Sequence, residues 1–414
     1  MSDFRKNVIK LFSGAVIAQL APWAISPILA RIYTPEEFGL LTIFLSILNI
    51  GNTIITAKYE IAIYLPRQTE QARYVVKLNI LVSIVITTTA LIIFLLFGSQ
   101  IKELLQAQEL DVFFYLAPVV VLLLGLYKIF YSWLNRLKQY TTLAASKVVR
   151  SATLSVSQLG LGFTAFKAHG LIIGQMIGEL VAAGFIVIAS IGTIKLRREA
   201  GDRQGIAQTA KEYIGFPKYS LPGDFVNSVS NQAPVFIFGG VFGTAIVGQY
   251  GMTYRVLTAP LTLLARAILD VFKQQASEDY ANTGSCRKIF VVTLKRLAMF
   301  SFPIFLIIGI FSEPLFTLIF GEQWRQAGEF AQIMAILFFV RFVASPLSYV
   351  LYIAQKQKVD LIWQLTLAVV LISSIYIGVA FDDFYLSLWL FTLSYSAMYL
   401  IYLYLSYKYS ERKE

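Results

Sequence analysis

Twelve stretches of mostly apolar residues, each about 20 long, recur along this chain of 414 residues, and about 20 residues is what an α-helix needs to cross the hydrocarbon of a bilayer. They run over residues 11–32, 38–58, 78–98, 112–133, 148–166, 170–193, 218–241, 246–270, 289–311, 329–353, 359–380 and 385–407. Inside lipid no water is present to satisfy backbone N–H and C=O groups, so long apolar runs must become helices. Composition supports the same conclusion. Apolar residues make up 57% of the chain and charged ones 14%, against about 25% charged in ordinary soluble domains. A soluble core has no room for that many apolar side chains, and most must face lipid.

The net charge of +11 would suggest a polyanionic partner in a soluble protein. Here it sorts by side of the membrane. With the N-terminus in the cytoplasm, 26 of the 35 Lys and Arg residues fall in cytoplasmic segments, and four (Arg31, Lys102, Lys167 and Arg325) fall on the opposite side. That asymmetry predicts twelve spans with both termini cytoplasmic, and a nucleic-acid partner loses its support. The first stretch follows Arg5, Lys6 and Lys10 and resembles a signal peptide, but its length and the lack of a clear cleavage site make it an uncleaved span.

Several chemistries are excluded by counting. One cysteine, Cys286, allows no disulfide within the chain and no cysteine cluster for a metal; one histidine, His169, allows no two-histidine metal site. No GxxxxGK[ST] loop is present for direct use of ATP. The outer loops are short, so an enzyme would have to work with short loops and span residues. We therefore expect no catalytic residues, no metal, no cofactor and no enzymatic activity.

The chain reads as an internal repeat. Residues 11–41 and 220–250 align at a constant offset, with Gly14 on Gly223, Ala30 on Gly239 and Gly39 on Gly248. Six spans lie on each side of the basic segment 195–217. The expected domains are an N-terminal six-helix lobe (1–194), a basic cytoplasmic loop (195–217) and a C-terminal six-helix lobe (218–414), related by a pseudo-two-fold axis along the membrane normal.

The polar residues inside the spans form stripes at helical spacing. Span 2 carries Thr42, Ser46, Asn49, Thr53, Thr56 and Glu60; span 7 carries Ser220, Asp224, Asn227 and Asn231. Span 8 carries Arg255, Thr258, Thr262, Arg266 and Asp270; span 10 carries Arg341, Ser345, Ser348, Tyr352 and Gln355. A charge in lipid costs several kcal/mol unless it is paired or wet. The stripes therefore predict a central cationic cavity, while isolated Ser and Thr are equally at home between packed helices. Arg255, Arg266 and Arg341, with Asn49, Asn227, Asn231 and Arg31, are the expected substrate-binding residues. Unpaired arginines suit phosphate or pyrophosphate, which guanidinium binds through two parallel hydrogen bonds. Lys58, Glu60, Asp224 and Asp270, meeting Arg266 near the inner mouth, are the expected gate or ion-coupling residues. Gly170, Gly174, Gly178 and Ala182 read instead as a close-packing face in span 6, with Glu179 a partner for a base such as Arg150. Pro22, Pro27, Pro222, Pro234 and Pro260 are expected to interrupt the cavity helices.

Several of these segments resemble a known family. Ile28 to Gly39 (ILARIYTPEEFG), Lys58 to Pro66 (KYEIAIYLP), Phe216 to Pro222 (FPKYSLP), Asn231 to Val235 (NQAPV), Tyr254 to Leu257 (YRVL) and Phe320 to Trp324 (FGEQW) are similar to bacterial lipid-linked oligosaccharide flippases. These are the O-antigen and capsule repeat-unit translocases of the multidrug/oligosaccharidyl-lipid/polysaccharide exporter superfamily. The resemblance implies a multi-pass protein of the bacterial cytoplasmic (inner) membrane. It would carry undecaprenyl-diphosphate-linked oligosaccharide between leaflets by alternating access, among membrane lipids, with coupling to an H+ or Na+ gradient and a polymerase and chain-length regulator as prospective partners. A multidrug/ion antiporter of the same superfamily and a polytopic polysaccharide polymerase are the alternatives.

Overall fold

The computed structural model describes residues 21–105, 107–194, 202–260 and 266–411. Residues 21–32 form α1, followed by α2 (Pro35–Ile54), α3 (Thr69–Leu104), α4 (Asp111–Arg136), α5 (Tyr140–Leu161), α6 (Lys167–Ile191) and α7 (Asp202–Glu212). A short turn over Phe216–Ser220 leads into α8 (Leu221–Phe242), α9 (Thr244–Pro260), α10 (Arg266–Thr283), α11 (Arg287–Phe320), α12 (Arg325–Leu347), α13 (Val350–Ile353), α14 (Gln357–Ala380) and α15 (Phe384–Lys408). Each of the twelve apolar stretches lies on helix over most of its described residues, and no strand occurs among them. Eight helices are long and apolar enough to span a bilayer. Helices α5, α8 and α9 are not among the eight; Lys147 and Arg150 dilute the apolar run of α5, polar residues such as Asp224, Asn227 and Asn231 that of α8, and α9 has only 17 described residues. The chain is thus an all-α, multi-pass membrane protein.

Local sequence sets the helix ends. At the start of α2, Thr34 Oγ1 accepts from the Glu37 N–H (3.3 Å) while Glu37 Oε2 accepts from the Thr34 N–H (2.7 Å). With Pro35 at the first helical position, this reciprocal cap contributes on the order of 1 kcal/mol. Asp383 caps α15 by accepting from the Leu386 N–H at 3.0 Å.

The span 6 glycines pack as expected. A Cβ on Gly174 would lie 2.8 Å from the Gln158 nitrogen and 3.0 Å from its Cα, so only glycine lets α6 approach the backbone of α5 so closely. Gly378 plays the same part between α14 and α15, where a Cβ would lie 2.4 Å from the Ser387 Cα. The Tyr33 hydroxyl, donating to the Gln158 carbonyl at 2.6 Å, ties the α1–α2 corner to α5. Burial and the nearby Glu37 carboxylate push this phenol up to about 12, which keeps it a donor.

Not every one of these prolines interrupts its helix. Pro27 and Pro234 sit within continuous helical runs, and Pro22 lies in the first described turn of α1. Pro222 follows the turn over Phe216–Ser220 at the start of α8, and Pro260 is the last described residue of α9. An interruption falls in span 2, at a place without proline or glycine. Helix α2 stops at Ile54, Ala57 and Lys58 adopt left-handed φ of 46° and 65°, and a 3₁₀ turn follows over Tyr59–Tyr64. Glu60 is thereby taken off the helical stripe that joined it to Thr42 and Asn49.

The chain gathers into two compact units, Met1–Gln232 and Ala233–Glu414. In the first, α5 packs on α6, and α4 packs on both α3 and α6; in the second, α12 packs on α9, α11 and α15, and α14 packs on α15. In α3 (36 residues) and α11 (34 residues) large apolar side chains such as Leu95, Leu96, Met299 and Phe302 stay exposed along the helix, as befits lipid-facing surfaces.

Candidate functional site

The expected polar residues divide into three kinds once placed. The hydroxyl stripe of span 2 is turned on its own helix: Thr42 donates to the Phe38 carbonyl, Ser46 to Thr42 and Thr53 to Asn49, at 2.8–3.0 Å. Such bonds satisfy the hydroxyl without any cavity, and Asn49 is left as the exposed polar group of that face. In α8, Asn231 Nδ2 likewise donates to the Asn227 carbonyl (2.8 Å) and Oδ1 (2.9 Å). Arg31 lies exposed at the end of α1.

The second kind is paired charge, and the pairs that involve the expected residues lie in the first unit. Lys58 Nζ lies 2.6 Å from Asp224 Oδ2, joining the end of span 2 to the start of α8. Glu60, nearly fully buried, meets Lys128 Nζ at 2.8 Å and accepts from Thr56 Oγ1 at 2.6 Å. Burial works against ionising this carboxyl, yet the Lys128 charge and hydrogen bond, with the Thr56 hydroxyl, hold it below the usual carboxylate range. Lys58 and Asp224 therefore meet as the sequence suggested, whereas Glu60 is engaged by a lysine of α4 that sequence spacing did not indicate. The side chains of Arg266 and Asp270 lie outside the described residues. Glu179 pairs with Arg150 at 2.5 Å and accepts from Gln175 at 2.7 Å.

The third kind belongs to the second unit. Arg341 Nη1 donates to the Tyr254 hydroxyl at 3.0 Å, and its guanidinium lies 5.8 Å and 6.0 Å from the ring centres of Tyr395 and Tyr399. These rings supply cation–π attraction of roughly 0.5–2 kcal/mol each. They do so without the formal neutralisation that a carboxylate would bring. Helices α9, α12 and α15 converge to build this cage: Tyr254 comes from the first, Arg341 from the second, and Tyr395 and Tyr399, one helical turn apart, from the third. Arg255, next to Tyr254 on α9 and half-buried, makes no ion pair or hydrogen bond among the described residues. Among the described residues, two span arginines thus stand without an acidic partner.

A buried carboxylate that sequence reading passed over also lies in this unit. Asp360, in the first turns of α14, is 5% exposed. It accepts hydrogen bonds from the Tyr352 hydroxyl (3.0 Å), Gln364 Nε2 (2.8 Å) and the Tyr402 hydroxyl. The available signal was an acid just inside a span, with tyrosines on the neighbouring helix at matching depth.

Residues 28–329 match the family model described as polysaccharide biosynthesis protein. Among individual proteins, the chain is 24% identical over 343 residues to the lipopolysaccharide biosynthesis protein WzxC of Escherichia coli, covering 81% of this chain and 66% of that one. It is 25% identical over 157 residues to the teichuronic acid biosynthesis protein TuaB of Bacillus subtilis, covering 37% of this chain and 32% of TuaB. The chain thus spans less than two thirds of the length of both of these relatives. Among solved structures, the fold matches the lipid II flippase MurJ in an inward closed conformation, with a TM-score of 0.75, 14% identity, and 97% of this chain and 87% of MurJ covered. It also matches an inward-facing multidrug transporter of the MATE family, with a TM-score of 0.70, 12% identity, and 96% and 97% covered. At these identities the two structures establish a shared fold. The match over most of its length establishes the family: the chain is a member of the polysaccharide biosynthesis proteins.

Proposed function

We propose that this protein is a flippase that carries undecaprenyl-diphosphate-linked oligosaccharide from the inner to the outer leaflet of a bacterial cytoplasmic membrane by alternating access, for assembly of a surface polysaccharide. The observation that carries this reading is the pair of span arginines, Arg255 and Arg341, which have no carboxylate partner among the described residues. A diphosphate brings the missing negative charge, and guanidinium can bind it through two parallel hydrogen bonds. The tyrosine cage holds Arg341 in place without consuming its charge, and phenol rings next to it give sugars polar edges and flat faces to rest on. The lipid tail stays in the bilayer while diphosphate and sugars pass along polar span residues. Binding is assigned to Arg255, Arg341, Arg266, Asn49, Asn227, Asn231 and Arg31, and the gate to the Lys58–Asp224 pair with Glu60 and Asp270. Both termini are cytoplasmic on this reading, in keeping with the 26-to-4 asymmetry of basic residues.

The test is to locate lipid-linked oligosaccharide in a strain deleted for the gene, using a membrane-impermeant periodate or lectin probe on spheroplasts. Repeat units trapped on the cytoplasmic face are expected. Wild-type protein should restore their export, and Arg255→Ala or Arg341→Ala should not. Units that reach the outer face but fail to polymerise would replace this reading with a polymerase. Normal surface polymer together with sensitivity to cationic drugs would favour a multidrug antiporter.

A further inference from the structure

An open cleft of about 520 Å³ lies in the first unit where the ends of spans 2 to 5 meet. Tyr64 closes the 3₁₀ turn of span 2, Thr69 opens α3, Arg136 ends α4 and Tyr140 opens α5, while Asn135 and Lys138 complete the polar lining. Two of these side chains are cations and none is an acid. Arg136 is fixed by backbone alone: Nη1 donates to the Ile63 carbonyl at 3.0 Å and Nη2 to the Pro66 carbonyl at 2.5 Å. Carbonyls position a guanidinium without cancelling its charge. Asn135 Nδ2 donates to the Tyr64 hydroxyl at 3.0 Å, which leaves that hydroxyl's own hydrogen to give to a ligand. Lys138 stands at a left-handed φ of 58° in the link between α4 and α5. One turn further along α3, on the face that carries Thr69, Arg73 Nε is buried with no hydrogen-bond partner among the described residues.

The backbone adds charge of the same sign. Helices α3 and α5 both begin at the cleft, and no side chain caps either N-terminus, so the positive ends of two helix dipoles lie at its rim. The negative end of α4 is closed off, because its Leu134 and Asn135 carbonyls accept from the Gln139 and Lys138 N–H groups. A cleft that offers a guanidinium, an ammonium and hydroxyl donors, and no acid, suits an anion with several acceptor oxygens, as a phosphate ester has. Location decides the source of that phosphate. These are the ends of membrane spans, and Ile61, Tyr64 and Leu65 are exposed beside the cleft, an apolar surface for acyl chains with a tyrosine at headgroup level. We propose that the cleft binds the phosphate of an anionic phospholipid, such as phosphatidylglycerol, and that this lipid braces the ends of α3, α4 and α5. Basic pockets between span ends recognise such headgroups by charge and hydrogen bonding. The site uses none of the residues assigned to transport and does not rest on the flippase reading.

The test uses the full-length protein, delipidated in detergent and titrated with phosphatidylglycerol in competition with phosphatidylcholine, with bound lipid counted by native mass spectrometry. Phosphatidylglycerol should be held in preference to phosphatidylcholine. Arg136→Gln should weaken that binding about tenfold or more, the loss of one hydrogen bond between charged groups. It also frees the Ile63 and Pro66 carbonyls, so a second variant guards against a folding defect. Lys138→Asn removes a charge but keeps a residue that tolerates the left-handed backbone, and it should weaken binding about fivefold. Lys408→Asn, which removes an exposed basic residue at the end of α15, should bind as the wild type does. Inorganic phosphate should not displace the lipid. Equal binding of the two lipids, or no change in Lys138→Asn, overturns the proposal. So does an equal loss in Lys408→Asn, which would make the preference a general attraction to basic protein. Displacement by inorganic phosphate would make the cleft a site for soluble phosphate and overturn the lipid assignment. No lipid-linked oligosaccharide enters the measurement, so its outcome stands whether or not the protein is a flippase.

Discussion

The two units of the molecule treat buried charge in opposite ways. In the first, every buried acid of the spans or their ends meets a cation: Glu60 meets Lys128 and Glu179 meets Arg150. In the second, among the described residues, the ion pairs sit at exposed helix ends, between Arg287 and Glu411 and between Arg325 and Glu313. Of its interior charges, Arg341 and Asp360 are held by tyrosines and a glutamine instead. A carboxylate–cation pair is a closed circuit that fixes helices to one another. A charge wrapped in phenols is positioned but still available to a ligand. On the flippase reading proposed above, the contrast gives scaffold duty to the first unit's pairs and ligand duty to the second unit's charges.

The largest effect should come from breaking a closed pair. Glu179 is 1% exposed while Arg150 reaches solvent, so Arg150→Ala strands the buried partner. Removing one member of a buried pair costs about 3–5 kcal/mol. Unfolding by titration with SDS should show a loss of that order, and adding Glu179→Gln should recover most of it. A loss below about 1 kcal/mol would mean the first unit's pairs are not structural, and the comparison would collapse.

Arg341→Ala should behave in the reverse manner, with little lost in stability and much in transport. A hydrogen bond to a charged group contributes roughly 1.5–3 kcal/mol, so export of the lipid-linked oligosaccharide should fall about tenfold to a hundredfold. Arg341→Lys should lie between, since it restores the charge but not the planar fork that stacks on Tyr395 and Tyr399. If Arg341→Ala unfolds the protein as readily as Arg150→Ala does, the tyrosine cage is scaffold as well.

Acid sharpens the same contrast. The folded-state pKa of Glu60 is depressed, so its pairing contributes stability that is present above the unfolded carboxyl range, near ~4.3, and is lost as pH falls through the folded value. Thermal midpoints measured from neutral pH down into that range should fall more steeply for the wild type than for Glu60→Gln. Parallel curves would show that Lys128 does not hold Glu60 in its ionised form.

The positions of the spans were legible because lipid imposes a single, long-wavelength requirement, about 20 apolar residues, that survives any detail of packing. The glycine face of α6 was legible for a similar reason: spacing alone puts Gly170, Gly174 and Gly178 on one side. The meeting of Lys58 with Asp224 was legible from depth and charge. What stayed hidden depends on partners far apart in sequence. Lys128 reaches Glu60 across 68 residues, and Tyr402 reaches Asp360 across 42. The tyrosines of the last helix carry no charge, so nothing in a charge-and-stripe reading separated Tyr395 and Tyr399 from their lipid-facing neighbours. The break after Ile54 was hidden for another reason, since Ala57 and Lys58 are residues that ordinarily continue a helix.

That break yields the smallest effect and the finest distinction. Lys58 combines two features that a single substitution would confound: a left-handed backbone, which costs an L-residue roughly 1–2 kcal/mol, and an ion pair to Asp224, whose side chain is 53% exposed. Exposed pairs contribute only about 0–1 kcal/mol. Lys58→Ala removes the pair and keeps the strain; Lys58→Gly removes both, at some entropic cost in the unfolded chain. Lys58→Gly should therefore be the more stable of the two by about 1 kcal/mol, and Asp224→Asn should sit within about 1 kcal/mol of the wild type. If Lys58→Gly is stable yet transport falls as it does in Asp224→Asn, the strained turn is present to aim the lysine, and the pair serves the gate. If Lys58→Gly transports normally, the pair is ordinary surface charge, and gating lies elsewhere in the molecule.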